Sequence, residues 1–186
     1  MSQAQTTRDL IISKAYQLFR EQGYYHTSMA DIGQACDLLK GSIYHYFESK
    51  EALMEQVLAS TYALFKKQVF SLSFATNGTP KDRLQGMLAA TAHAYFQEKG
   101  GCLMGQTGSQ VANRIPSFAS LIRQFFKDWI EAFTHLFKTQ YTADQAFQLA
   151  RQAVIEIEGA VTLYCIFEDK TYLTTTCQRI ESLLTE

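Results

Sequence analysis

Apolar residues recur along this chain at steps of three and four, and no segment of useful length shows the alternation of a half-buried strand. The chain therefore reads as all-α. The first helix is predicted to begin near Thr6 or Thr7. It carries Ile11, Ile12, Ala15, Leu18 and Phe19 on one face and ends at Gly23, a residue suited to a C-cap. A short helix follows, opened by Ser28 and Asp31 in capping-box register, with Met29, Ile32, Ala35 and Cys36 facing inward. Asp37 tolerates the left-handed backbone of a sharp turn, and Leu38 plugs the crease. A second short helix, Lys40 to about Tyr46, buries Ile43 and Phe47 and leaves Lys40, Ser42, Tyr44 and His45 outside. Two short helices around a tight turn form a helix-turn-helix pattern.

The remaining elements follow from caps and breakers. A fourth helix is predicted from Ser49 to about Phe74, with Leu53, Val57, Leu64 and Phe65 as its apolar side. Asn77-Gly78-Thr79-Pro80 is a break, with Thr79 as cap and Pro80 at the first position of the next helix. Lys99-Gly100-Gly101 stops that helix, and a sixth runs from Cys102 to Asn113. Pro116 opens a long aromatic helix to about Thr139, and Asp144–Phe167 and Thr171–Leu184 complete the chain. The last helix carries Leu173, Cys177, Ile180 and Leu184 as a stripe fit to pair with another helix.

The exposed face of the Lys40 helix is rich in donors and rings, which suits reading of base edges. Gly41 removes a side chain where backbone N–H groups can approach a phosphate. Lys50 puts a cation in a first helical turn, where the dipole disfavours it, so a phosphate contact explains its presence.

The segment from Arg8 to Leu53 resembles the DNA-binding domain of the TetR family of transcriptional regulators. The resemblance rests on Ala15, Leu18-Phe19, Gly23-Tyr24, Thr27-Ser28, Ile32, Lys40-Gly41-Ser42, Tyr44, Tyr46-Phe47 and Ser49-Lys50-Glu51-Ala52-Leu53. Asp37 stands where that family commonly has a turn glycine, and Leu39 where it has a small hydroxyl residue. By this resemblance Tyr44 and Lys50 bind phosphates, and Lys40, Ser42 and His45 approach the major groove. Thr27 and Ser28 open the preceding helix at the DNA backbone, and Tyr46 and Phe47 hold the head together. The implied organisation is a helix-turn-helix domain over residues 1–48 and a ligand-sensing, dimerising helical bundle over 49–186. The implied partners are a double-stranded DNA operator, a second copy of the chain through the last two helices, and a small-molecule effector.

Composition changes this picture little. The chain has 186 residues, 47% of them hydrophobic and 19% charged, enough for a proper core without staples. Its net charge is −1, and within residues 1–50 Arg8, Lys14, Arg20, Lys40 and Lys50 balance Asp9, Glu21, Asp31, Asp37 and Glu48. DNA affinity must then come from the placement of a few cations and from dimerisation. Cys36, Cys102, Cys165 and Cys177 form no CxxC pair, which argues against a zinc finger or a disulfide framework and suits a reducing cytoplasm. No signal core or membrane-length apolar run is present, so neither secretion nor insertion is expected.

Beyond the head, Phe126, Trp129, Phe133 and Phe137 recur at helical spacing, with Phe118, Phe125 and Ile130 nearby. Such a stripe is ordinary core or the wall of a pocket for an apolar or aromatic effector. The effector-binding candidates are Phe96, Cys102, Met104, Phe125, Phe126, Trp129 and Phe133. Cys102 also lies in a Gly-Cys-Leu at the start of the sixth helix that resembles a branch of TetR-like regulators, some of which sense electrophiles through a cysteine there. The alternative function is therefore a cysteine-based electrophile or redox sensor. Cys36, Cys165 and Cys177 read as core, and Glu156 and Glu158 as the dimer rim, with a buried ligand contact as the other possibility. His93 and His135 lack further ligands at metal spacing, so no metal site is expected. No cofactor is expected either. An enzyme using Cys102 with His93 has no phosphate loop or nucleophile elbow to support it. A helical adaptor without DNA binding is the remaining class.

Overall fold

The computed structural model describes residues 3–97, 100–111 and 114–185, and no side chain of residues 3–5. Lys99 and Asn113, named above at helix ends, lie outside the described residues. All regular structure among the described residues is helical: α1 Gln3–Gln22, α2 Met29–Ala35, α3 Lys40–Ile43, α4 Lys50–Gln68, a 3₁₀ turn Phe70–Phe74, α5 Pro80–Phe96, α6 Leu103–Val111, α7 Pro116–Phe137, α8 Ala143–Phe167 and α9 Thr171–Glu181. The chain forms two compact units, Met1–Thr61 with Leu103–Leu121, and Tyr62–Cys102 with Ile122–Glu186.

In the first unit α1 packs on α2 and α6, and α2 packs on α3. Ile11, Ala15 and Phe19 of α1 are buried with Ile32, Ile43, Phe47, Leu53, Met54 and Leu58. Gly23 takes φ +83 and its N–H donates to the Phe19 carbonyl at 3.0 Å, closing α1 as a left-handed C-cap does. Tyr24, the next residue, is buried with its ring edge-on to Phe118, centroids 5.5 Å apart. Phe118 thus belongs to the core of this unit rather than to a pocket wall.

In the second unit α9 packs on α5 and α8, and α5 packs on the 3₁₀ turn. The Thr79/Asp82 and Thr142/Gln145 capping boxes start α5 and α8, each satisfying two otherwise orphaned N–H groups. Arg83 ties the preceding loop to α5 by donating from Nη1 to the carbonyls of Ser73 and Ala75 at 3.1 and 2.9 Å.

Several expectations are corrected. The fourth helix stops at Gln68 instead of Phe74, because burial of Val69 and Phe70 draws the backbone into the tighter 3₁₀ turn. Leu64 is 51% exposed and does not belong to the apolar side of α4. The second helix of the motif ends at Ile43, and a turn held by Tyr46 N–H and Phe47 N–H to the Ile43 carbonyl completes the segment. The α9 stripe does meet other helices, α5 and α8, with Leu173, Ile180 and Leu184 buried within the unit, but its Cys177, read as core, is only half-buried. Cys165 is exposed rather than core. Glu156 pairs with Arg179 of α9, and Glu158 faces the interior rather than a rim.

Candidate functional site

The geometry of the head begins with its caps. Ser28 Oγ accepts from Asp31 N–H at 3.2 Å, and Asp31 Oδ2 accepts from Ser28 N–H at 2.8 Å. These bonds also hold the Asp31 carboxyl below the usual carboxylate range. Cys36 ends α2, Asp37 takes the left-handed conformation at φ +55, and Leu38 N–H donates back to the Gly33 carbonyl at 2.9 Å. The turn is so tight that a Cβ on Gly33 would stand 2.9 Å from the Leu38 carbonyl oxygen. Helix α3 is thereby held close against α2, with Ile43 fully buried beneath it.

Lys40, Gly41, Tyr44 and His45 are exposed and Ser42 is half-buried, so these residues share the face opposite Ile43 and Phe47. Gly41 has no atom within 4 Å of where its Cβ would stand. Ser28 is exposed at the start of α2. Two other residues of the set behave differently. Thr27 is 1% exposed, and its hydroxyl donates to the carbonyls of Gly23 at 2.9 Å and Leu18 at 3.3 Å. A hydroxyl so engaged latches α1 to the start of α2 and has no free path to a phosphate. Lys50 Nζ donates to the carbonyls of Tyr24 and Thr27 at 2.9 and 3.1 Å and lies 4.3 Å from the centre of the Tyr24 ring. An intramolecular tether thus accounts for a cation in the first turn of α4, which the sequence reading assigned to a phosphate.

The effector candidates divide between the units. Met104 belongs to the first and is buried there; Phe96, Cys102, Phe125, Phe126, Trp129 and Phe133 belong to the second. Phe125 is the hub of an aromatic cluster, with ring centroids 5.4 Å from Phe65, 5.4 Å from Phe70, 5.2 Å from Phe126 and 5.7 Å from Trp129. Trp129 is fully buried and its Nε1–H has no hydrogen-bond acceptor among the described residues. Phe133 stacks on Phe137 at 5.8 Å, and Phe96 stands apart, edge-on to Tyr164 at 5.2 Å. Cys102 is 7% exposed and neighbours the Glu158 carboxyl, as does the Tyr95 hydroxyl. Burial pushes Glu158 up to about 7, although hydrogen bonds from Cys102 and Tyr95 act the other way. An open groove of about 420 Å³ is lined by Tyr141, Asp144, Gln145, Gln148 and Leu149, and a hollow of about 240 Å³ by Gly100, Tyr164, Cys165, Glu168 and Lys170. Neither includes an effector candidate.

Residues 11–57 match the family described as bacterial regulatory proteins, tetR family, and residues 80–179 match the C-terminal domain of LmrA/YxaF-like transcriptional regulators. The chain belongs to the TetR family of transcriptional regulators. The uncharacterized HTH-type transcriptional regulator YxaF of Bacillus subtilis is 26% identical over 182 residues, 96% of this chain and 95% of that protein. The HTH-type transcriptional repressor DhaR of a Mycobacterium species is 29% identical over 126 residues, 68% of this chain, which spans 63% of DhaR. A TetR regulator crystal structure from Legionella pneumophila superposes with a TM-score of 0.89 at 24% identity, covering 100% of this chain and 99% of that one, which establishes the fold. The TetR family and these relatives are regulators, not enzymes. No helix among the described residues is long and apolar enough to cross a membrane.

Within the TetR head, sequence reasoning missed Gly33. Its signal was a glycine inside a helical pattern, which marks close backbone approach. It also missed the tether made by Lys50, for which no periodicity offers a signal, since Lys50 and Tyr24 stand 26 positions apart.

Proposed function

We propose that this TetR-family protein is a homodimeric transcriptional repressor that leaves its DNA operator when a small apolar or aromatic effector binds the second unit. The observation that carries the reading is the face formed by exposed Lys40, Gly41, Tyr44 and His45 with half-buried Ser42, set over a buried Ile43. Lys40, Ser42 and His45 reach base edges in the major groove. Tyr44, Ser28 and the backbone at Gly41 meet phosphates, and Lys50 contributes its third N–H while holding the head in shape. Functionally the chain divides into a DNA-reading part over 1–48 and a sensing and dimerising part over 49–186.

Support for dimerisation comes from the outer side of α8, where Ile155, Leu163, Ile166 and Phe167 are exposed and Gly159 leaves open space for another backbone. An apolar helix face of this kind favours a second copy of itself. Support for the effector comes from the Phe125–Trp129 cluster, whose indole N–H has no acceptor among the described residues and suits an aromatic ligand offering one. Such a ligand releases DNA only if it binds the DNA-incompatible state more tightly, by roughly 1–3 kcal/mol.

The test is binding of the full chain to the DNA upstream of its own coding region, titrated with salt, against the Lys40→Ala/His45→Ala double variant. Tight binding that weakens steeply with salt and is lost in the variant is expected. Equal binding by the variant rejects the groove assignment.

A further inference from the structure

We infer that Leu39 is a specificity-determining residue that reads the C5 methyl group of a thymine in the major groove. This inference rests on the proposed DNA-reading face and extends it by one residue.

Leu39 is 81% exposed, far more than the neighbouring Tyr44 at 46%, and serves as the N-cap of α3 with extended backbone at φ −66, ψ 146. Its side chain makes no cap hydrogen bond. Ser, Thr, Asp or Asn in that position stabilises a helix start by about 1 kcal/mol relative to an aliphatic residue, so leucine is a poor choice for folding. Placing its isobutyl group in water adds a second disadvantage. Burial offsets neither one among the described residues, because the core beneath α3 is already closed by Ile43 and Phe47, 0% and 4% exposed.

Gly41 repeats the argument. A glycine inside a helix is unfavourable, yet a Cβ there would meet nothing within 4 Å. Packing within the protein therefore does not require it. A leucine that the fold does not need lies next to Lys40, with a glycine that the fold does not need just beyond. Leu39 thus sets one exposed apolar side chain beside the polar residues of α3. A leucine side chain has no donor or acceptor, and the one apolar feature that base pairs present in the major groove is the thymine methyl. Contact with it distinguishes T·A from C·G at that step and complements the hydrogen bonds available to Lys40 and His45.

The experiment uses full-length protein. Random-sequence selection with the wild type defines its site, and each thymine of that site is then replaced singly by deoxyuridine, which removes only the methyl group. Affinities are measured for wild type, Leu39→Ala and Leu39→Thr, with thermal melts to establish that the variants are folded. Wild type is expected to lose roughly fourfold at one position of each half-site, the effect of one methyl group leaving an apolar contact. Leu39→Ala, too short to reach the methyl group, is expected to bind the thymine and uracil forms equally, and Leu39→Thr, which keeps one methyl, to show a smaller penalty than wild type. A flat uracil scan with wild type, an unchanged uracil penalty in Leu39→Ala, or a selected site without thymine overturns the inference while leaving operator binding intact. So does a change of oligomeric state in Leu39→Ala with unaltered site preference, which would make Leu39 a protein contact. If no sequence is selected at all, the operator-binding reading falls and this inference with it.

Discussion

Lys50 and Tyr24 are joined twice: Nζ donates to the Tyr24 carbonyl at 2.9 Å and sits 4.3 Å from the centre of the Tyr24 ring. With the further bond to the Thr27 carbonyl, one ammonium closes the loop between α1 and α2 onto the start of α4. Lys50→Ala should therefore destabilise the protein by about 1–3 kcal/mol, the range for hydrogen bonds from a charged donor. Lys40→Ala, on an exposed site, should stay within about 0.5 kcal/mol of wild type. Urea denaturation of both variants checks this, and equal stability would make Lys50 a purely DNA-directed residue.

Gly33→Ala should be among the most damaging small substitutions in the head. The added methyl would lie 2.9 Å from the Leu38 carbonyl oxygen and 3.4 Å from Lys40 N, both backbone atoms that cannot swing aside. A cost of about 1–3 kcal/mol is expected, with α3 displaced. The readout is a fall in melting temperature together with weakened DNA binding, whereas Gly41→Ala should leave the melt nearly unchanged.

The Glu158 carboxyl gives the second unit a pH dependence of definite sign. Burial raises this group from 4.5 to about 7, so the folded protein holds the proton more tightly than the unfolded chain. Its contribution to stability is complete below pH 4.5 and is lost as pH rises through about 7. The gap corresponds to at most about 3 kcal/mol. Glu158→Gln should be more stable than wild type at pH 8 and similar at pH 4.5, measured by chemical denaturation at both values.

Thiol chemistry should follow exposure. Cys165 is exposed, whereas Cys36 and Cys102 are buried. Burial, then the Glu181 carboxylate, pushes the Cys177 thiol up to about 11, which keeps it protonated and slow. Labelling with a maleimide followed by peptide mass mapping should modify Cys165 first. Dilution should accelerate that labelling if the α8 face is covered by a second copy. Rapid modification of Cys102 instead would favour the electrophile-sensing alternative.

What the sequence disclosed was local, and what it concealed was a matter of side-chain direction. Ser28 and Thr79 each announce a helix start as capping residues, and both caps are formed, whereas the Thr142 cap that opens α8 was not read. Asp37 is left-handed as its place in the turn requires. The burial of Ile43 and Phe47 follows from their spacing of four. By contrast, α9 carries an apolar stripe that suits either an inner or an outer partner, and only the fold assigns it inward. Periodicity likewise treats Glu156 and Glu158 as equal interruptions, yet one meets Arg179 and the other lies beside Cys102 and Tyr95. In the head, the residue types pointed to a DNA-facing set, but Thr27 and Lys50 have partners in distant turns that no local pattern reveals.

The inward stripe of α9 has a bearing on how the protein is made. Leu173, Ile180 and Leu184 are fully or almost fully buried, and Tyr141 Oη donates to the Leu183 carbonyl at 2.7 Å, so α9 and the turn after it belong to the core of the second unit. The faces of α5 and α8 that α9 covers stay open until α9 has been made and has folded back onto them. A chain cut short before α9 would carry that surface open, suited to chaperones and proteases rather than to regulation.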